Sequence, residues 1–400
     1  FSFGGDSYRN AELRLITQAD STRCVAEAIR LSDNKNDMTI RLNANVADEQ
    51  LASSLTLSNR SNEGGTINTI TQFYKNDEGA RETHVRVLPS ELKVRGMRWE
   101  LEPCDIIYSD KRLMVDQFKL HHGDEHLIID GIASTDSGDS LVLDLLGIDV
   151  ASLLDVVNFH SVDFGGKASG KAYVCHAFDT PQAWADIVVK DFLFQDALMG
   201  TLGAHAAWNT DKGQIDINGI IDGQAGAKTF IDGYVSPVRS ELDLGIVAQG
   251  TSIGFVHSFT SSFVKSIEGQ AIGHVRIFGP LSNIDIIGEA AVTGTAAIAP
   301  LGTTYHINND TVRLTPGNIG FKDFHVYDRD NNMALFNGAV THHYLKNFSF
   351  DFKATASNVL AYDFPDMEAE GLIGGSVRAN GEVTIASQPE GIEINCDVNR

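Results

Sequence analysis

A glycine-rich segment of this sequence resembles the loop that binds nucleotide phosphates. Residues 165–171 read Gly-Gly-Lys-Ala-Ser-Gly-Lys, which matches the spacing of glycine and lysine in that loop. The next residue is Ala172 instead of the serine or threonine that binds magnesium, and Tyr173 to Cys175 continue as a strand. Because a phosphate loop requires that hydroxyl and the N-terminus of a helix, we predict a strand here and no nucleotide site.

Two further motifs contain residue types that bind metals. Residues 328–332 begin like a calcium loop, but Met333 replaces the glycine at its sixth position and Ala339 replaces the glutamate at its twelfth. We therefore predict a hairpin turn. Histidines occur at 121, 122 and 126, in a polar turn, and at 342 and 343, without further ligands at helical spacing. We predict no metal site.

Three aspartates occupy equivalent positions in similar strands. Asp144 and Asp243 lie in Leu-Asp-Leu sequences, and Asp351 lies in Phe-Asp-Phe. Because a catalytic acid is seldom present in three copies, the pattern predicts the polar side of a recurring strand. The sequence also contains no apparent Ser-His-Asp, Cys-His or paired-carboxylate arrangement. We expect a protein that is not an enzyme, with no catalytic residues and no cofactor.

These aspartates belong to a longer repeat. One glycine landmark occurs at positions 131, 233 and 338, separated by 102 and 105 residues, and a second at 166, 269 and 375, separated by 103 and 106. A near-constant period is typical of an array whose units bury their apolar faces against their neighbours. The pattern predicts repeats at residues 91–174, 175–277 and 278–400, the last including the start of a further repeat. Residues 1–90 are predicted to form a β-meander of the same continuous sheet.

Apolar and polar residues alternate with a period of two through most of the chain. Residues 12–16 and 84–88 are examples, and turn-forming segments such as residues 62–65 separate them. This alternation predicts an antiparallel meander with one apolar and one polar face. Short amphipathic segments predict one helix in each repeat, at residues 150–157, 253–264 and 357–364.

The composition restricts the classes of function. The chain is 42% hydrophobic and 21% charged, as in globular proteins, and its net charge of −22 argues against a nucleic-acid partner. No apolar run approaches the length of a transmembrane helix. The four scattered cysteines form no disulfide framework. The chain begins at Phe1 without a signal peptide and stops within an alternating segment, so we expect it to be part of a longer protein.

A long sheet with one apolar face must cover that face. The sequence offers few helices, so either two sheets pack together or one sheet curves. Glycines on one face favour curvature. We therefore predict a mainly β fold: an elongated antiparallel β-sheet trough, or half-pipe, with a few short helices and a hydrophobic groove for acyl chains or apolar strands. The residues predicted to line it are Val174, Phe192, Phe194, Val275, Ile277, Phe324, Phe348, Phe350 and Phe352.

The order of these motifs resembles the C-terminal region of the translocation and assembly module (TamB) family in its Bacteroidetes form. The resemblance covers residues 90–400 and is most specific in residues 305–364, while residues 1–90 match only in style. Its main elements are Ile319-Gly320-Phe321 followed by residues 324–328, the segments 331–342, 347–352 and 357–360, and, before them, Trp99, Trp208 and the glycine strands at 166–170 and 269–279.

The resemblance implies a periplasmic protein of the Gram-negative envelope, anchored to the inner membrane by a segment absent here. Its trough would be similar to those of AsmA-like and bridge-like lipid transfer proteins. The implied function is outer-membrane biogenesis, through phospholipid transport between the inner and outer membranes, assembly or secretion of outer-membrane proteins, or both. The implied partners are acyl chains or nascent outer-membrane proteins, and an Omp85-class outer-membrane protein bound through a segment outside this chain.

The residues also leave alternatives open. A chain of β-sandwich modules, acting as a stalk or surface adhesin, is compatible with the alternation, the acidity and three Asn-x-Ser/Thr sites at 59, 309 and 347. A glycan-active β-helix would need carboxylates clustered on one face and much shorter repeats.

Overall fold

A computed structural model of the chain describes residues 2–3, 6–18, 20–31, 37–75, 79–156, 162–364, 374–388 and 391–398. Strands account for most of these residues, and the helices are few and short. The chain divides into two compact units. The N-terminal unit comprises Phe1–Lys190 and Ala204–Lys212, and the C-terminal unit comprises Asp191–Gly203 and Gly213–Arg400. The predicted mainly β, antiparallel fold is confirmed.

The N-terminal unit is an antiparallel meander with one helix. Its elements are β1 (Ser2–Phe3), β2 (Asp6–Gln18), β3 (Ser21–Arg30), β4 (Met38–Ala47), β5 (Gln50–Asn59), β6 (Gly64–Lys75), β7 (Arg81–Val87), β8 (Ser90–Val94), β9 (Met97–Leu101), β10 (Cys104–Ser109), β11 (Arg112–His122), β12 (Glu125–Ala133), β13 (Ser140–Asp149), α1 (Val150–Val156) and β14 (Phe164–Cys175). Strands β15 (Gln182–Phe194) and β16 (Ala197–Asn209) contribute residues to both units.

Two prolines of this meander each separate a pair of short strands that lie along the edge of one longer strand. Pro89 separates β7 from β8 along the edge of β6, and Pro103 separates β9 from β10 along the edge of β11. Proline cannot donate a backbone hydrogen bond to the sheet, so the pairing breaks there. The apolar residues flanking the breaks, Val87, Leu101 and Cys104, are buried together. Burial raises the pKa of the Cys104 thiol to about 11.

The first predicted helix is confirmed as α1, although residue 157 of that prediction lies outside the described residues. Asp149 caps its first turn by accepting a hydrogen bond from the backbone N–H of Ser152, at 3.0 Å. Leu153 packs against the core residues Trp99 and Leu145. A helix this short is stable only because such packing supports it.

The C-terminal unit is also an antiparallel meander. Its elements are β17 (Gln214–Asp222), β18 (Lys228–Ser236), β19 (Glu241–Ser252), α2 (His257–Thr260), β20 (Val264–Pro280), β21 (Asp285–Ile298), β22 (Thr303–Thr315), β23 (Asn318–Tyr327), β24 (Met333–His343), β25 (Lys346–Phe364), β26 (Gly375–Gln388) and β27 (Gly391–Val398), with 3₁₀ turns at Gln224–Gly226, Gly254–Val256 and Ala299–Leu301.

The other two helix predictions have different outcomes. The segment 253–264 contains the 3₁₀ turn Gly254–Val256 followed by α2, so it is helical but shorter than predicted. The helix predicted at 357–364 is wrong, because these residues form the end of β25. The pairing of β25 with β26 shifts register after Ala356 and after Leu360. These irregularities interrupt the period of two, which made the segment resemble a helix in sequence.

The repeated glycines at 131, 233 and 338 each stand close to the neighbouring strand. All three have a positive φ, and a Cβ at Gly338 would lie 2.1 Å from the backbone oxygen of Asp351. At Gly233 it would lie 2.0 Å from the oxygen of Asp243. Only glycine permits this backbone conformation together with so close an approach. The repeat boundaries themselves stay a prediction.

We expect Gly338→Ala to lower the free energy of unfolding by about 1–3 kcal/mol, since the methyl group must displace the backbone of β25 and φ becomes strained. Gly245→Ala is the matched control. Gly245 lies in the same meander, and its Cβ would stand 3.5 Å from the nearest atom, the oxygen of Asp232. Urea unfolding followed by far-ultraviolet circular dichroism measures both variants. Equal midpoints for Gly338→Ala and the wild type would contradict the steric argument.

Candidate functional site

The motif that resembles a phosphate loop lies within a strand, as predicted. Residues 165–171 belong to β14. Both lysines form ion pairs with other strands: Lys167 Nζ lies 2.6 Å from Glu125 Oε1, and Lys171 Nζ lies 3.1 Å from Asp144 Oδ2. The segment therefore contacts β13 and, beyond it, β12 through its polar side chains.

The three repeated aspartates lie on the polar side of their strands, as predicted. Asp243 forms a two-pronged ion pair with Arg276 on the neighbouring strand, with oxygen–nitrogen distances of 2.6 and 2.5 Å. The hydrogen bond from Arg276 lowers the pKa of Asp243 despite partial burial of the carboxylate. Asp144 pairs with Lys171, and Asp351 is exposed. Their arrangement is that of a charged outer surface.

The segment that resembles a calcium loop is a hairpin turn, as predicted, and joins β23 to β24. The side chain of Asp328, only 1% exposed, accepts hydrogen bonds from the backbone N–H groups of Asp330 and Asn332. Its second oxygen accepts the N–H of Leu360 in β25, at 2.8 Å, and lies 3.2 Å from Arg378 Nη1 in β26. Asp328 thus connects the turn to two further strands.

The histidines occupy separate environments. His121 and His122 end β11, and His126 lies in β12, so the turn between these strands contains only residues 123 and 124, a shorter turn than predicted. His342 is buried against Phe348, and burial lowers its pKa. Across the described residues, no group of three or more His, Cys, Asp or Glu side chains is placed to hold a metal ion.

Strand register places one row of apolar residues across eight strands of the C-terminal unit. From β18 to β25, each of the following lies directly opposite the next: Ile231, Ile246, Val275, Gly288, Leu314, Ile319, Val340 and Phe350. Directly opposed residues of antiparallel strands share a face of the sheet. Two predicted groove residues, Val275 and Phe350, therefore lie on one face although they are separated by five strand pairings.

A second row runs beside the first, two residues along each strand. From β19 to β26 it contains Ala248, Gly273, Ala290, Val312, Phe321, Gly338, Phe352 and Ile385. We call these two rows the apolar face of the C-terminal unit. Apart from Ala248, which is buried, their residues are only half-buried. The face is thus partly accessible rather than sealed as a core.

β-Bulges keep the apolar side chains of three strands on the apolar face along the whole strand. Three strands contain a residue with a left-handed backbone at a register shift: Asn309 in β22, Asp323 in β23 and Asn358 in β25. In each case the backbone N–H donates to a side chain of the adjacent strand, at 2.8–3.1 Å; the acceptors are Thr293, Asn337 and Asn380, respectively. Through the extra residue, Phe321 and Phe324 both face the apolar side.

The N-terminal unit contains a corresponding row. From β7 to β14 it comprises Val85, Ile106, Val115, Gly131, Leu141 and Val174, each directly opposite the next. The predicted residue Val174 therefore belongs to the apolar face of this unit.

The remaining predicted residues lie in different environments. Ile277 lies opposite Leu244 and Ile286 beside the first row, and Phe324 is buried in the core with Val326. Phe348 is 36% exposed at the start of β25. In β15, Phe192 is buried, and Phe194 contacts Phe255 with ring centroids 5.3 Å apart.

Ring contacts show that the sheet of the C-terminal unit curves around its apolar face. Phe263 immediately precedes β20 and is 12 residues from Val275, about 40 Å along an extended strand. Val275 shares a row with Phe350, yet the rings of Phe263 and Phe350 are 5.7 Å apart. A flat sheet would separate these rings by tens of ångströms. The strands must therefore curl so that the apolar face lies on the inside.

Sequence reasoning missed the contacts of Phe259 and Phe263 with β25. Both belong to the segment 253–264, which the sequence predicts only as an amphipathic helix, whereas their rings contact Phe348 and Phe350. It also missed Leu314, Ile319 and Val340 as members of the first row. Their alternation in the sequence was visible, but which alternating positions share a face depends on the bulges between them.

Comparisons with protein-family models, with curated proteins and with solved structures find no match to this chain. Among the described residues, no helix has the length and apolar character needed to cross a membrane.

We expect Asn337→Ala to destabilise the protein by about 1–2 kcal/mol, because the N–H of Asp323 at the bulge loses its acceptor. Asn337→Asp keeps an acceptor oxygen in place and should remain within about 0.5 kcal/mol of the wild type. Chemical unfolding of both variants measures the difference. If the two variants have the same free energy of unfolding, the acceptor oxygen of residue 337 does not stabilise the bulge.

The substitution Asp328→Asn tests how much the ionised, buried carboxylate of Asp328 stabilises the fold, because that contribution depends on pH. Burial raises the pKa of Asp328, but hydrogen bonds from Asn332, Leu360 and Asp330 outweigh it and lower the pKa to about 2. A lowered pKa stabilises the fold above the ordinary carboxyl pKa, and this contribution is lost as the pH falls from about 4 towards 2. The variant should be less stable than the wild type by about 2 kcal/mol at pH 7.

Urea midpoints at pH 7 and pH 2.5 check this expectation, and the difference between wild type and variant should narrow at the lower pH. Asp330→Asn is the control in the same turn, because it removes only an exposed partner of Arg378 and should cost less than about 1 kcal/mol. A difference that is the same at both pH values would show that the charge of Asp328 contributes nothing.

Proposed function

We propose that the apolar face of the C-terminal unit forms a groove that accommodates the acyl chains of phospholipids. The observation that carries this proposal is the pair of half-buried apolar rows on the inside of the curved C-terminal sheet. Acyl chains are flexible and apolar along their whole length, so they fit a groove without specific polar contacts. Each methylene group transferred from water into such a groove contributes about 0.8 kcal/mol.

The opposite side of the sheet supports the same function. It presents ion pairs between neighbouring strands, such as Arg276 with Asp243 and Lys353 with Glu382, at 2.8 Å for the latter pair. A charged outer surface keeps the protein in water while the inner surface holds apolar cargo. The two faces thus separate solubility from cargo binding.

The sequence resemblance suggests where such a groove would operate. In the TamB family and its AsmA-like and bridge-like relatives, the trough is linked to outer-membrane biogenesis. We extend this to the present chain as a proposal: a non-enzymatic periplasmic protein, anchored in the inner membrane through a segment outside this chain. It would carry phospholipid between the membranes or shelter nascent outer-membrane proteins, with an Omp85-class partner at the outer membrane.

The lipid proposal predicts which single substitutions remove bound lipid. Val275→Asp places a charge in the first apolar row, where burying it without a partner is unfavourable. We expect phospholipid that co-purifies with the wild type, measured by native mass spectrometry and lipid extraction, to fall at least fivefold. Phe350→Asp should have the same effect.

Ile272→Asp is the matched control, because Ile272 lies in the same strand but is 55% exposed on the opposite face. It should change bound lipid less than twofold. A photo-crosslinking residue at Val275 should capture phospholipid, and one at Ile272 should not. A lipid-free wild type, or equal lipid in the Val275→Asp variant, would overturn the lipid proposal; compact single-repeat fragments on limited proteolysis would then favour the sandwich stalk.

A further inference from the structure

The segment between β19 and β20 contacts the curved apolar face of the C-terminal unit at Phe350. Residues 253–263 contain the 3₁₀ turn Gly254–Val256 and the single-turn helix α2. We call this segment the strap. It leaves the sheet after β19 and returns at Val264, the first residue of β20.

The strap starts from the end of the sheet where β20 begins and contacts the opposite end, where β25 begins. β20 and β25 are separated by five antiparallel pairings, so they run in opposite directions. The first residues of β25 therefore lie at the end of the sheet where β20 finishes, whereas the strap lies where β20 begins. Nevertheless Phe259 contacts Phe348 and Phe263 contacts Phe350, with ring centroids 5.3 and 5.7 Å apart. The strap thus bridges the two ends of the curled strands.

The strap is held near its ends and also at Phe255, which contacts Phe194, and at Ser258, whose hydroxyl donates to the backbone oxygen of Gln195 at 2.6 Å. Ile253 is buried, and its N–H donates to the backbone oxygen of Gly269 at 3.1 Å. At the other end, the backbone oxygen of Phe263 accepts the N–H of Ala299 at 2.9 Å. The part of the strap beyond Ser258 is held lightly: Phe259, Ser261 and Ser262 are exposed, and Phe259 retains 40% of its accessible surface. Segments with few buried contacts are those that open locally.

A bridge at this position affects a phospholipid differently from a bare hydrocarbon. If the acyl chains lie on the apolar face, the charged headgroup remains in water at the mouth of the groove, because moving it inside is unfavourable. A headgroup that advances along the mouth meets the strap. The chains can slide beneath the strap only if the headgroup passes it, which requires the contacts of Phe259 and Phe263 with β25 to separate.

From this geometry we propose that the strap is a gate that must open for phospholipid to move along the groove of the C-terminal unit. The inference rests on the proposed function, since a gate requires cargo. Phe259 and Phe263 are the closing residues, and Phe348 and Phe350 receive them. The gate is closed in this structure.

A reversible crosslink tests the gate. Phenylalanine side chains separate the two backbones, so cysteines at 259 and 348 would be too far apart for a direct disulfide. In the Phe259→Cys/Phe348→Cys variant of the whole chain, a short bis-methanethiosulfonate joins both thiols, and reductant removes it. Single-cysteine variants report any reaction with the natural cysteines. The rate of transfer of a fluorescent phosphatidylethanolamine from donor to acceptor vesicles is measured before and after reduction.

We expect the crosslink to slow transfer at least tenfold and reduction to restore it. The control pair is Gln249→Cys/Ile272→Cys, two exposed residues directly opposite each other on the outer face, whose crosslink should leave the rate unchanged. Phe259→Ser, without any crosslinker, weakens the closing contact and should raise the rate at least threefold.

The outcomes distinguish the gate from the groove. Equal rates in the crosslinked and reduced Phe259/Phe348 variant, with lipid still captured by a photo-crosslinker at Val275, would overturn the gate and leave the groove intact. No capture at Val275 and no transfer in any variant would overturn the proposed function, and the gate with it.

Discussion

The antiparallel register of the sheet is the constraint on which the rest of this structure depends. Because side chains alternate between faces, a slip of one residue would move a whole set of apolar residues to the outer surface. In the C-terminal unit the register keeps apolar residues opposite apolar residues or glycine from Ile231 to Phe350. Where the alternation along a strand would turn apolar residues to the outer face, a bulge returns them to the inner face. At Asp323 the backbone N–H of the bulge donates to the side chain of Asn337.

The curvature of the C-terminal sheet depends on the glycines within its two apolar rows. Glycines such as Gly288 and Gly338 interrupt the rows of large side chains, so the backbone can approach the next strand and the sheet can bend towards its apolar side. Bending brings the ends of the strands together, and only then do Phe263 and Phe350 meet. The same residues that make the face apolar therefore also determine how far it is accessible.

Polar side chains stabilise the ends of the strands and the outer face of the curved sheet. Asp328 ties the hairpin of β23 and β24 to Leu360 and Arg378, so the end of the hairpin is fixed against the two following strands. At the same end, the hydroxyl of Tyr305 donates to the backbone oxygen of Leu360 at 2.9 Å, which draws β22 towards β25. Elsewhere, exposed ion pairs between adjacent strands add little stability individually. Their main effect is to keep the outer face hydrated.

The sequence by itself determined the strand content, the polar side that carries Asp144 and Asp243, and the turn at 328–332, because each depends on local alternation and turn chemistry. It did not identify residues 357–364 as strand, since a bulge at Asn358 breaks the period of two in a way that resembles a helix. Nor did it reveal that Phe263 meets Phe350. That contact depends on the summed bending of the sheet between β20 and β25, and curvature of this kind arises from pairing between strands, which only the tertiary structure decides.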